Sequence, residues 1–65
     1  MMPSFIIKPV QYNPRRRVWE PCPAERAPSF AVIELTPNGE RPVGYGATRE
    51  EARNLRDNLI QAEAH

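Results

Sequence analysis

Apolar residues along this chain come in short bunches broken by proline and glycine, until residue 48, where runs give way to a periodic stripe. The first bunch, SFIIKPV at residues 4–10, is rich in β-branched and aromatic side chains and reads as a strand. Pro9 has no backbone N–H, which places this strand at a sheet edge or ends it there. QYNPRRR, residues 11–17, is turn chemistry punctuated by Asn13-Pro14, and RVWE, residues 17–20, suits a short return strand. PCPAERAPS, residues 21–29, holds three prolines in nine residues, so it reads as a connecting loop, partly extended. FAVIEL, residues 30–35, is the clearest strand, and its apolar residues on both faces predict a central position. TPNGE, residues 36–40, is a hairpin turn: Pro37 suits the first central position, and Asn38-Gly39 tolerate left-handed backbone. RPVGYG, residues 41–46, is the return strand.

From Thr48 the pattern is helical. Ala52, Leu55, Leu59 and Ala62 recur at spacings of three and four, Ile60 widens the stripe, and Arg49, Arg53, Asn54 and Asp57 fall on the solvated side. Thr48 and Glu51 have the T-x-x-E spacing of a capping box, in which Glu51 reaches back to Thr48. Glu50 and Glu51 also put negative charge at the positive end of the helix dipole. The helix is expected over residues 48–63.

A three-residue loop with Thr36 opposite Glu40 would set Leu35 against Arg41, Ile33 against Val43 and Ala31 against Tyr45. Alternation then gives Ile33, Leu35, Val43 and Tyr45 one face, which is expected to receive the helix. The other face would carry Phe30, Val32 and Glu34 opposite Pro42, Gly44 and Gly46. Its glycines would leave Phe30 and Val32 bare, to be covered by a second subunit, the proline-rich loop or a partner. A slip of one residue exchanges the two faces.

Together these elements predict an α+β fold: a three- or four-stranded, mostly antiparallel sheet with one C-terminal α-helix packed on one face, in a single domain of residues 1–65. A chain of 65 residues buries only about 60% of its unfolded surface. Domains of this size commonly rely on a disulfide, a metal or a second copy. The single cysteine, Cys22, excludes an intrachain disulfide, and one Cys with one terminal His65 cannot complete a zinc site of about four ligands. Self-association into a homodimer is therefore the expected staple, with no metal and no cofactor. The opening MMPSFIIKPV has neither a basic lead nor a long apolar stretch, and no run reaches the roughly 18 residues of a membrane span. With a free thiol, these features predict a cytoplasmic protein with no membrane partner.

The formal net charge is +1, too small for a strong general attraction to nucleic acid, although eight of the nine cations are arginine. The one concentrated feature is Arg15-Arg16-Arg17, flanked by Tyr12 and Trp19, a combination able to hold phosphates and stack on bases. Cys22 has no histidine near it in sequence to act as a base, and the neighbours Glu50 and Glu51 diverge by about 100° on a helix, so they cannot converge on one atom. With no phosphate loop and no Ser–His–Asp set, an enzyme is not expected.

The segment FAVIELTPNGERPVGYGATREEARNL resembles the end of a double-stranded-RNA-binding domain, matching in type at Gly44, Gly46, Thr48, Arg49, Ala52 and Arg53. Residues 46–52 are similar to the G-x-T-x-E-E-A segment of HicB-like antitoxins. The turn and the T-x-x-E-A helix start are similar to the arm-binding domain of tyrosine integrases. Each resemblance rests on a hairpin and a capping box, and it implies a strand–strand–helix unit more than an activity. In size and simplicity the chain is also similar to small phage- and plasmid-encoded inhibitors. The expected function is non-catalytic: a small regulator or inhibitor docking on a protein or nucleoprotein partner. Arg15, Arg16, Arg17, Tyr12 and Trp19 would make the contact, with Phe30 and Val32 as its apolar patch. The alternatives are direct nucleic-acid binding by the arginine turn or sheet face, and an antitoxin-type partner.

Overall fold

A computed structural model describes residues 4–63. Met1, Met2 and His65 lie outside them. Four strands and one helix follow in order: β1 (Ser4–Asn13), β2 (Val18–Pro21), β3 (Ser29–Thr36), β4 (Gly39–Gly46) and α1 (Arg49–Glu63). A single 3-10 turn, Ala24–Arg26, lies in the proline-rich connection. The strands form one curled sheet in the order β2-β1-β3-β4, antiparallel throughout, with α1 packed on one face: an α+β fold.

β1 runs on past Pro9 to Asn13 and lies inside the sheet. Proline is tolerated there because β2 is short. The Pro9 carbonyl accepts from the Cys22 N–H at 3.2 Å, so the side of β1 on which Pro9 lacks a donor is the side where β2 has just ended. Residues 4–8 of β1 therefore pair with β3 alone.

The β3–β4 hairpin turns more tightly than a three-residue loop. Thr36 pairs with Gly39 and Leu35 with Glu40, around Pro37 and Asn38. The Thr36 hydroxyl accepts from the Asn38 N–H at 3.3 Å and donates to the Gly39 carbonyl at 2.8 Å, while Gly39 takes φ 130°, a value few other residues adopt. Ile33 then faces Pro42 and Val32 faces Gly44, so Val43 is the extra residue of a β-bulge. The bulge cancels the tighter turn: Ala31 meets Tyr45 and Phe30 meets Gly46, as the three-residue loop would have placed them.

The face assignment is the main correction. The helix covers Phe30 and Val32, not the face of Ile33, Leu35 and Tyr45. Phe30, Val32 and Ala52 form a buried cluster with Phe5, Ile7, Ala27, Val43, Leu55 and Leu59 packed around it, and Val32 and Ala52 are fully buried. The glycines are the reason. A Cβ on Gly46 would sit 2.7 Å from the Ala52 backbone nitrogen, and one on Gly44 would run into Leu55 Cδ2. Bare backbone at these two positions lets the helix lie close to the sheet, so the glycine face is the docked face.

The helix start is capped, with one shift from the expected geometry. Thr48 Oγ1 accepts from the Glu51 N–H at 3.1 Å, but Glu51 Oε2 accepts from the N–H of Ala47 at 2.8 Å, one residue before the cap. The stripe that packs on the sheet is Ala52, buried, with Leu55 and Leu59 half-buried; Ile60 and Ala62 are exposed. Arg49, expected in solvent, places its guanidinium carbon 5.3 Å from the centre of the Phe30 ring, a cation–π contact at the helix start.

Candidate functional site

With one face taken by α1, the other is left uncovered by the described residues. Alternation and register assign to it Ile6, Lys8, Val10 and Tyr12 of β1, Trp19 and Pro21 of β2, and Ala31, Ile33 and Leu35 of β3. Glu40, Pro42 and Tyr45 of β4 complete it.

Three of these side chains gather although their strands are spread across the sheet. Tyr12 and Trp19 pair across the β1–β2 hairpin, with ring centres 5.4 Å apart in an edge-on arrangement. Trp19 also stacks on Tyr45, with centres 4.7 Å apart and planes 26° from parallel, although β2 and β4 are separated by two strands. Three strand spacings amount to about 14 Å in a flat sheet. The curl of the sheet and the inward lean of both rings close that gap. Beneath them Val10, Ala31 and Ile33 form a second small core, and Ala31 is only 1% exposed on a face that no helix covers. The aromatic stack is its roof.

The roof remains accessible: Tyr12, Trp19 and Tyr45 are 48%, 42% and 42% exposed. Beside it a cleft of about 220 Å³ opens between the Trp19 and Tyr45 walls and the Val10, Ala31 and Ile33 floor. Lys8 and Glu40 line it and pair with each other at 2.7 Å.

The arginines stand one pairing step beyond Tyr12 and Trp19, at the tip of the β1–β2 hairpin. Asn13 organises this turn. Its Oδ1 accepts from the N–H groups of Arg15 and Arg16 at 3.0 and 3.3 Å, and its carbonyl accepts from the Arg17 N–H at 2.7 Å. Arg17 has φ 56°, the left-handed region that favours glycine. Arg15, Arg16 and Arg17 are exposed, and among the described residues none takes part in a salt bridge. The nearest acidic residue in sequence, Glu20, instead takes weak 3.4 Å hydrogen bonds from Gln11 and Asn13.

Five of the residues singled out from sequence thus come together: Arg15, Arg16, Arg17, Tyr12 and Trp19. Phe30 and Val32 do not join them. They lie on the opposite face, 9% and 0% exposed beneath α1, which corrects the expectation of a bare apolar patch. Tyr45 was missed because the reversed faces placed it under the helix. Cys22 is half-buried just after β2. Among the described residues no three His, Cys, Asp or Glu side chains converge as metal ligands, and no helix is long and apolar enough to cross a membrane.

Fold and face together define a small α+β domain whose sheet carries a helix on one side and an open aromatic surface, edged by arginine, on the other. Comparison with protein-family models, with curated proteins and with solved structures finds no match.

Proposed function

We propose that this protein is a non-catalytic binding module, a small regulator or inhibitor that docks on a protein or nucleoprotein partner through the open sheet face and the arginine hairpin. The observation that carries this reading is the join between the two features: an exposed Tyr12–Trp19–Tyr45 cluster next to three arginines without acidic partners among the described residues. Tryptophan, tyrosine and arginine are the side chains that most often dominate interface energies. The turn is also held by Asn13, so little ordering entropy remains to be lost on docking. The conformation of Arg17 adds support, because φ 56° is a strained value for a side-chain-bearing residue and such strain clusters at binding sites.

The test is capture from extracts of the native host, with the wild-type protein and an Arg15→Ala/Arg16→Ala/Arg17→Ala variant compared side by side. The expected result is a partner retained by the first and lost by the second. Identical captured sets would refute the reading, provided that both proteins show the same circular dichroism.

A further inference from the structure

We propose that the ligand of the open face is single-stranded nucleic acid, with the arginine hairpin holding phosphates and the aromatic roof and its cleft receiving unstacked bases. This rests on the docking reading and names what the face would touch in a nucleoprotein partner.

Charge complementarity comes first. Arg15, Arg16 and Arg17 form a compact cationic tip in a protein whose net charge is only +1. The charges that the structure pairs lie away from this tip: Lys8 with Glu40 in the cleft, Arg41 with Glu34 and Arg56 with Asp57. Guanidinium groups bind phosphate oxygens in bidentate geometry. The second observation is the surface next to the tip. An acidic peptide has charge for the arginines but no regular supply of flat rings for Tyr12, Trp19 and Tyr45. A single strand has both, one phosphate and one planar base per nucleotide, and base–aromatic stacking tolerates any sequence. The third is the cleft. An engineered cavity of about 150 Å³ holds a benzene ring. The 220 Å³ between the aromatic walls and the apolar floor has room for one ring, with Lys8 and Glu40 at hand as donor and acceptor. A duplex keeps its bases stacked inside and offers none to such a surface. Three arginines make few phosphate contacts, so the stacking share of the affinity has to be large.

The experiment uses the whole chain and a short oligothymidylate of about ten nucleotides, within the usual footprint of a small single-strand-binding surface. Trp19 is the only tryptophan, so its fluorescence reports on the site directly. The expected result is quenching at low salt. Three phosphate contacts predict a log–log salt slope of about −2, from roughly 0.7 per phosphate on single strands. Arg15→Ala/Arg16→Ala leaves one such contact and should flatten that slope to about −0.7. Tyr12→Ala should weaken binding about tenfold with the slope unchanged. Trp19→Ala removes part of the roof and is open to a folding explanation, so Arg17→Gly serves instead: it removes a guanidinium while relaxing the turn, and should bind less tightly though it is folded at least as well.

No quenching at low salt overturns the proposal. So does equal affinity for the matching duplex or for polyglutamate, or a dimer by sedimentation in which the oligonucleotide cannot reach Trp19. If host capture is arginine-dependent and survives nuclease treatment while oligothymidylate fails to bind, this inference falls and the docking reading stands. If capture is arginine-independent as well, both fall.

Discussion

Gly46→Ala tests the central feature of the fold, the approach of α1 to the glycine face. The new Cβ would lie 2.7 Å from Ala52 N, 2.9 Å from Glu51 Cβ and 3.1 Å from the Glu51 carbonyl carbon. Two of these three atoms are helix backbone, so no rotamer change relieves the clash and the first turn of α1 has to move away. A shift of about 0.5–1 Å forfeits a quarter to a half of each van der Waals contact it opens. The contacts at stake are those of Ala52 and Leu55 with Phe30 and Val32. Overpacking of this kind costs about 1–3 kcal/mol. Gly46 does not have positive φ, so alanine meets no backbone strain and recovers about 0.5–1 kcal/mol of chain entropy. Because the clash is with helix backbone and cannot relax, the overpacking cost belongs in the upper half of its range, and the net expectation is a loss of about 1–2.5 kcal/mol, large against the roughly 3–10 kcal/mol that a chain of this length holds. A urea m-value near 1 kcal/mol/M turns that into a midpoint lowered by about 1–2.5 M, measured by far-ultraviolet circular dichroism and Trp19 fluorescence together. Gly44→Ala is the internal comparison. Its Cβ meets the end of the Leu55 side chain, which can rotate, so the loss should be smaller. A Gly46→Ala protein as stable as the wild type, or more so, would mean that the helix does not lie on this face.

Phe30→Ala should cost about 3 kcal/mol or more, because the ring is 9% exposed in the helix-facing core; a change below about 1 kcal/mol in a urea titration would return Phe30 to the surface. Arg17→Gly should leave stability unchanged or raise it by up to about 1 kcal/mol, since relief of the roughly 1–2 kcal/mol penalty at φ 56° is offset by about 0.5–1 kcal/mol of added chain entropy; a clearly lower urea midpoint would mean that the arginine is held by contacts the turn geometry does not account for. Thr48→Ala should lose about 1 kcal/mol with the hydroxyl cap, and thermal melts that coincide with wild type would show that Glu51 and Ala47 suffice to start the helix. Glu40→Gln should change stability by less than about 1 kcal/mol, because the Lys8–Glu40 pair is roughly half exposed and screened; a larger loss would make the pair part of the second core.

Local chemistry was legible from the sequence and the choice of sheet face was not. Asn13-Pro14, the turn around Asn38, and Thr48 with Glu51 act over three or four residues, and each is found close to its expected place. Which face the helix chooses depends on parity, and FAVIEL is apolar on both sides, so its own pattern is silent. The tighter turn and the bulge at Val43 are two register errors that cancel, so the pairing at Ala31 and Tyr45 was right for an incomplete reason. The Trp19–Tyr45 stack was not legible at all. It spans strands that never pair, and only the curl of the sheet brings the rings together.

The sequence does carry a marker of the docked face, in its glycines. Gly44 and Gly46 share one side of β4, immediately before a capped helix. Read as missing side chains, they imply a bare face waiting for cover. Read as missing obstacles, they imply that the next element comes close, and the next element is α1. Connection length favours the second reading: only Ala47 and Thr48 separate β4 from α1, so the helix has to fold back beside the last residues of the strand it leaves. A tyrosine at position 45 points away from that contact by alternation, onto the face where Trp19 meets it. The same two glycines therefore fix both halves of the molecule, the covered core and the aromatic surface on the face that α1 leaves open.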